Sequence, residues 1–198
     1  MVVTPNTSRS RRRRSRCVPS LSTRSRAAVG LAGVTAYQGL QTLGPLTGRT
    51  LIVTGPRGGV GSIAVTLAHA AGAQVLEVER DSPSPQPQCA DAVLDVVAGP
   101  IFPSLIASLR RGGRYCIVGA VAGGDVQFDA WALLSALTLT GYSTEDLDGA
   151  GLRAATGALL ALKLPPARYT ALPLAEAARA HQMLERREVQ GRVVLLPP

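Results

Sequence analysis

The segment Thr54-Gly55-Pro56-Arg57-Gly58-Gly59-Val60-Gly61 restricts the fold of this 198-residue chain more than any other. It follows the apolar run Leu51-Ile52-Val53 and opens a helix-patterned stretch from Ser62 to Ala71. A second apolar run, Ala73 to Val78, begins directly after Gly72. Strand, glycine turn, helix and strand in that order form a β-α-β unit of the kind that cradles a dinucleotide pyrophosphate. The glycines let main chain approach the phosphates, and the free N–H groups and positive dipole end of the helix face the anion.

The same alternation runs through most of the chain. Helical patterns occupy 27–42, 60–71, 101–110, 129–137, 148–162 and 175–187. Strand patterns occupy 49–54, 73–78, 92–97, 114–118, 138–142, 168–172 and 191–196. Helix 60–71 carries Val60, Ile63, Ala64, Leu67, Ala68 and Ala71, the stripe that packs on a sheet. Apolar central strands alternating with such helices predict an α/β fold with a doubly wound, Rossmann-like parallel sheet.

One interval breaks the alternation. Arg80-Asp81-Ser82-Pro83-Ser84-Pro85-Gln86-Pro87-Gln88 is neither helix nor central strand, since three prolines remove donors and fix φ. Only residues 79–91 join Val78 to Ala92, whereas a β-α-β passage takes about 30 residues. Thirteen extended residues reach about 43–47 Å, enough to return along a strand and cross two strand spacings. The sheet is therefore predicted to lack one edge strand and its helices, with a proline-rich strap in their place. The lost helix packing predicts a bare apolar sheet face, with reduced stability or self-association through it.

Charge is distributed unevenly. The net charge is +8, and residues 1–26 hold eight arginines and no acid; the other 13 basic residues are matched by 13 acidic ones. Segment 1–26 reads as a disordered Arg-rich arm, and nucleic acid is not expected beyond non-specific contacts of that arm. With 46% hydrophobic residues and mean hydropathy +0.18, residues 27–198 are expected to fold as one domain. No run reaches the roughly 18 apolar residues that span a bilayer, so no membrane partner and a cytoplasmic location are expected. Cys17, Cys89 and Cys116, with His69 and His181, show no metal-ligand spacing, so no metal is expected.

Several ordered stretches resemble the medium-chain dehydrogenase/reductases, in particular the zinc-free quinone oxidoreductase-like branch. They are Ala28-Val29-Gly30-Leu31-Ala32-Gly33-Val34-Thr35-Ala36-Tyr37, Gly48 to Gly55, and Gly58-Gly59-Val60-Gly61. Val93 to Gly99, Gly112 to Gly119, Glu176 to His181 and Gly191 to Leu195 follow in the family's order. The resemblance covers roughly 27–198 apart from the interval after residue 80. Members of that family carry an N-terminal GroES-like domain that builds most of the substrate pocket, and here 26 arginine-rich residues stand in its place. The chain thus looks truncated to the cofactor-binding domain, with the helix and strand of 168–198 placed to pack on the missing domain.

The resemblance implies an NADP(H)-dependent oxidoreductase that transfers hydride to a small carbonyl or quinone. The alternative is an inactive truncated nucleotide-binding or dimerisation module, and a homodimer is a further expectation. Gly55, Gly58, Gly59, Val60 and Gly61 are the candidate pyrophosphate contacts. By resemblance, Thr35 and Gly119-Ala120-Val121 line the nicotinamide. The end of the second strand sets cofactor choice, since an acid there holds a ribose 2′-hydroxyl and an arginine favours a 2′-phosphate. Arg80 lies 19 residues past Gly61 and points to NADP(H); Glu79 beside it keeps NAD(H) as the second choice. Asp95, on an apolar strand, is read as a hydrogen-bonding residue rather than a catalytic acid, and Trp131 as core or interface. No catalytic residue is assigned.

Two other readings of the glycine turn fail. Thr54, Gly55, Gly59 and Gly61 also fit a short-chain dehydrogenase pattern, but no tyrosine is followed four residues later by lysine; the single lysine is Lys163. No Gly-Lys-Ser/Thr occurs, which excludes a triphosphate P-loop.

Overall fold

The structure is a computed structural model that describes residues 23–162, 164–165 and 167–198. Five parallel strands form the central sheet: β1 (Thr50–Thr54), β2 (Gln74–Val78), β3 (Ala90–Asp95), β4 (Leu109–Ile117) and β5 (Thr138–Gly141). Their spatial order is β2-β1-β3-β4-β5. The chain therefore winds outward from β1 to β2, returns past β1 to β3, and continues to β5. This is a doubly wound α/β sheet in which β2 is an edge, as expected for a sheet short of one strand.

Side chains alternate across the sheet and build two cores. Leu51, Val53, Ala92, Leu94 and Cys116 face the layer made by α1 (Thr23–Thr42) and α2 (Gly59–Ala70), where Ala36, Leu40, Ile63, Ala64 and Leu67 meet them. Ile52, Val93 and Tyr115 face the other layer, filled by Phe102, Leu105 and Ile106 of α3 (Phe102–Ala107). Phe102 tilts against Tyr115 with ring centroids 4.9 Å apart. Burying each such side chain contributes about 1.5–3 kcal/mol, which is why the β1 and β3 runs are almost wholly apolar.

Residues 79–89 run as the expected strap from β2 to β3, without helix. The bare sheet face does not follow from it. Ile52 and Val93 are fully buried, covered with Cys89, Ile101, Val126 and Phe128, and the one exposed large apolar residue on β2 is Leu76 at 41%. Eleven residues of strap and the short α3 suffice because the missing strand leaves less surface to cover.

Two expected helices are shorter or tighter. Segment 101–110 becomes a 3-10 turn at Gly99–Ile101, then α3, and β4 begins at Leu109 rather than 114. Ser108 ends α3 by donating its hydroxyl to the Leu105 carbonyl at 2.7 Å. Segment 129–137 is a 3-10 helix, Ala130–Ser135, opened by the Asp129 carboxylate on the Trp131 amide. It buries no residue, so packing supplies nothing to hold a longer α-helix. Trp131 is accordingly 76% exposed and is not core.

The remaining elements stack outside the sheet. Helix α4 (Gly149–Ala161) starts at Asp148, whose carboxylate accepts from the Gly151 amide at 2.6 Å, and buries Ala155 and Leu159 on the α1 side. A two-stranded parallel sheet, β6 (Tyr169–Pro173) and β7 (Arg192–Leu196), encloses α5 (Ala177–Glu185) between its strands in sequence. Residues 1–22, most of the segment read as an Arg-rich arm, lie outside the described residues. Thr23–Arg26 form the first turn of α1 instead of the end of that arm.

Candidate functional site

Parallel strands bring their carboxyl ends to one edge of the sheet, and the glycine turn sits there. Thr54 ends β1 in register with Val78 at the end of β2, and the Gly55 amide donates to the Val78 carbonyl at 3.0 Å. Gly55 has φ +58, and its carbonyl accepts from the Gly58 amide at 3.0 Å, closing a tight turn. A Cβ on Gly61 would stand 2.1 Å from the Gly55 oxygen, so only glycine lets the helix start this close to the strand. Gly58 caps α2 without any side-chain hydrogen bond. The first-turn amides of Gly59, Val60 and Gly61 have no intrahelical acceptor and carry the positive end of the helix dipole. The turn fits a pyrophosphate by this test: close backbone, open donors and positive potential.

A second wall comes from the loops after β3 and β4. Val118 donates to the Asp95 carbonyl at 2.8 Å and Ala122 to the Val97 carbonyl at 2.9 Å, so the two loops are zipped together beyond the sheet. Val97 Cγ2 lies 3.6 Å from where a Gly55 Cβ would be, which sets this wall directly against the glycine turn. A Cβ on Gly119 would meet the Val96 carbonyl at 2.8 Å. Ala120 and Val121 follow on the exposed rim, Val121 at 80% exposure.

Helix α1 bridges the two walls. Ala32 Cβ lies 3.8 Å from the Cβ position of Gly59, while Gly39 rests on Val118 and Leu94. Thr35 sits between them, 8% exposed, with its hydroxyl donated to the Leu31 carbonyl at 3.1 Å. Arg80 is exposed in the turn beyond β2, where Glu79 donates its amide to Ser82 Oγ at 3.0 Å.

Three features complete the site; the first, Asp95, was read from sequence as a hydrogen-bonding residue without its partners, and the other two were not assigned. Asp95 is fully buried and anchors both walls from below. Its carboxylate accepts from Thr54 Oγ1 at 2.6 Å, Tyr115 OH at 2.5 Å, the Val97 amide at 2.9 Å and the Ala98 amide at 3.1 Å. Thr54 Oγ1 in turn accepts from the Val96 amide at 2.8 Å. Burial, with Asp95 beside it, pushes the Tyr115 hydroxyl far above its ordinary pKa, so it stays a proton donor to the carboxylate. A lone acid on an apolar strand was the sequence signal; its partners were not visible.

Second, β7 reaches the turn. The Gly191 amide donates to the Arg57 carbonyl at 2.8 Å, and Arg192 Cγ lies 3.2 Å from the Cβ position of Gly59. The aliphatic stem of Arg192 therefore lies against the helix start. Third, the Arg57 guanidinium forms an ion pair with Glu79 across the end of β2. Long-range pairings of this kind leave no local trace in sequence.

These features define a dinucleotide-type α/β domain with its site at the carboxyl edge of the strands. The comparisons with known proteins place it more closely. Residues 73–195 match the family described as "Zinc-binding dehydrogenase". The chain belongs to that family, within the medium-chain dehydrogenase/reductases. It is 27% identical over 184 residues to acryloyl-coenzyme A reductase of Metallosphaera sedula, covering 80% of this chain and 54% of that protein. The chain thus spans about half the length of the curated relative it matches. Among solved structures it is similar to the YhdH oxidoreductase of Salmonella enterica in complex with NADP, with TM-score 0.77, 25% identity, and 88% and 64% of the two chains covered. It is also similar to mycobacterial Rv1454c complexed with NADPH, with TM-score 0.76, 27% identity, and 90% and 67% covered.

The family description names zinc, and the residues do not fit it here. Among the described residues no group of three or more His, Cys, Asp or Glu could hold a metal ion. No step through zinc is derived. Among the described residues, no helix is long and apolar enough to cross a membrane.

Proposed function

We propose that this chain is the cofactor-binding part of an NADP(H)-dependent oxidoreductase that passes hydride to a small, electron-poor carbonyl or quinone. The observation that carries the proposal is the helix start at Gly59–Gly61, uncapped and pressed against Gly55 at the carboxyl edge of the sheet. The names of the similar proteins support it, since two hold NADP or NADPH and one is named for reducing an acryloyl thioester. NADP(H) is the first choice of cofactor and NAD(H) the second.

The residues have distinct roles in this reading. Amides of Gly59, Val60 and Gly61, with the close backbone approach at Gly55 and Gly58, hold the pyrophosphate, and Arg192 adds a cation beside them. Arg80 faces the ribose phosphate. Thr35 and Gly119-Ala120-Val121 line the nicotinamide end. The nicotinamide, when bound, supplies the hydride. Positioning by these walls is the protein's share of the work. The free thiols Cys89 and Cys116 suit a reducing, cytoplasmic setting.

The alternative is a nucleotide-binding module without turnover, favoured by the exposed Ala120–Val121 rim. Reduced-nicotinamide fluorescence on titrating the chain with NADPH reports binding, and acceptor-dependent loss of nicotinamide absorbance reports turnover. Saturable binding with oxidation supports the enzyme, and binding without oxidation supports the module. A folded chain that binds no NADPH removes both readings.

A homodimer belongs to the same proposal. Exposed apolar residues gather on the 3-10 helix leading into β5, with Trp131 at 76%, Leu133 at 41% and Leu134 at 67% exposure. This group is larger than the single Leu76 on β2, so self-association is assigned to the β5 side.

A further inference from the structure

We infer that Arg57, through its ion pair with Glu79, decides which dinucleotide the site accepts, in favour of the one bearing a 2′-phosphate. The inference rests on the nucleotide-binding reading above and assigns a specificity-determining residue within it.

The end of β2 is where a dinucleotide's adenosine ribose is distinguished. The groups fixed there have mixed charge. Glu77 on β2, with Glu79 and Asp81 beyond it, outnumber Arg80, an excess of negative charge that would repel a doubly charged 2′-phosphate. Arg57 offsets part of it. The residue comes from a different element, the glycine turn, and reaches Glu79 because Gly55 is bonded to Val78 and β1 and β2 end in register. Its main chain is pinned by the Gly191 amide at 2.8 Å, whereas its side chain is 63% exposed. The guanidinium thus reaches from a fixed point toward Glu79 and any anion arriving beside it.

Glu79 is also held in place. Its amide donates to Ser82 Oγ at 3.0 Å and its carbonyl accepts from the Ser82 amide at 3.2 Å. An exposed ion pair is a weak interaction. The guanidinium has five donors, so it can turn a charge-assisted bond to an arriving phosphate while staying paired with Glu79. With Arg57 engaged, Glu79 is masked and a 2′-phosphate is accepted. With Arg57 removed, Glu79 stands free to accept from a ribose 2′-hydroxyl and to repel the phosphate.

The test is titration of the full chain with NADPH and, separately, NADH, followed by nicotinamide fluorescence. Wild type is compared with Arg57→Gln, Glu79→Gln and the double variant. Arg57→Gln is expected to weaken NADPH about tenfold while leaving NADH unchanged or tighter, because a charge-assisted pair is lost and a carboxylate is unmasked. Glu79→Gln is expected to tighten NADPH and weaken NADH, and the double variant to lie between the two for NADPH. Arg57 is exposed and Glu79 half-buried at the surface, and each is replaced by a neutral polar side chain, so circular dichroism of each variant is expected to match wild type. An equal shift for both nucleotides, or an unchanged NADPH-to-NADH ratio in both single variants, overturns the inference while leaving nucleotide binding intact. Failure of folded wild type to bind either nucleotide overturns the binding reading and this inference with it.

Discussion

Tyr115 and Thr54 each spend their hydroxyl on one buried carboxylate, and that sharing sets what a point change at Asp95 must do. Asp95→Ala leaves two hydroxyls and two amides without an acceptor inside the protein. Each orphaned group costs about 1–3 kcal/mol, so a loss of at least about 4 kcal/mol is expected, read as a lower midpoint in urea. Tyr115→Phe removes a single bond to a charged acceptor and is expected to cost about 1.5–3 kcal/mol. The pH dependence follows from the raised Tyr115 pKa. The unfolded tyrosine ionises near pH 10, while the folded one keeps its proton because of burial and Asp95. Its contribution to stability is complete below pH 10 and declines as pH rises above it. Denaturant midpoints between pH 8 and 11 should therefore fall more steeply in wild type than in Tyr115→Phe. Asp91 works in the opposite window: burial raises its pKa, but the Thr50 amide and Arg110 outweigh this and lower it. That contribution is present above the usual carboxylate range and is lost as pH falls through it.

At the scale of elements, periodicity and punctuation were enough to locate every strand of the central sheet, most plainly β1 and β3, whose buried parallel strands are nearly continuous apolar runs. The strap was legible for a plain reason: three prolines in nine residues admit no helix. What was lost were features that depend on partners distant in sequence. The early start of β4 comes from Leu109 pairing with Ala90, and Arg110-Arg111-Gly112 has no strand signature of its own. The 3-10 geometry of Ala130–Ser135 reflects missing packing, which a sequence window cannot register. The glycine turn itself was fully legible, whereas Arg57–Glu79, Arg192 and the hydrogen-bond partners of Asp95 were not. One element-scale consequence is testable at the turn. Gly61→Ala drives a methyl group into the Gly55 carbonyl, so a stability loss of about 1–3 kcal/mol is expected together with loss of NADPH binding. Retained binding in a calorimetric titration would show that the pyrophosphate does not sit on this turn.

For the whole molecule, the sheet has two unlike edges. The β2 edge carries one exposed leucine, while the β5 edge is preceded by Trp131, Leu133 and Leu134. Sedimentation velocity is expected to show a dimer that dissociates in the Trp131→Arg, Leu134→Lys double variant and persists in Leu76→Lys. The opposite pattern would move the contact to the strap side of the sheet. The face that sequence reasoning expected to be bare is covered, so the cost of the shortened crossover falls on the edge alone.

The bond from Gly191 to Arg57 has a practical consequence for anyone handling this chain. Gly191 has φ +82, and a Cβ there would meet the Arg168 carbonyl at 2.2 Å, so the fit tolerates no side chain. Residues 191–198 act as a latch on the glycine turn, not as a dispensable tail. Trimming them for crystallisation, or anchoring the C-terminus to a surface for a biosensor, would disturb that turn from behind.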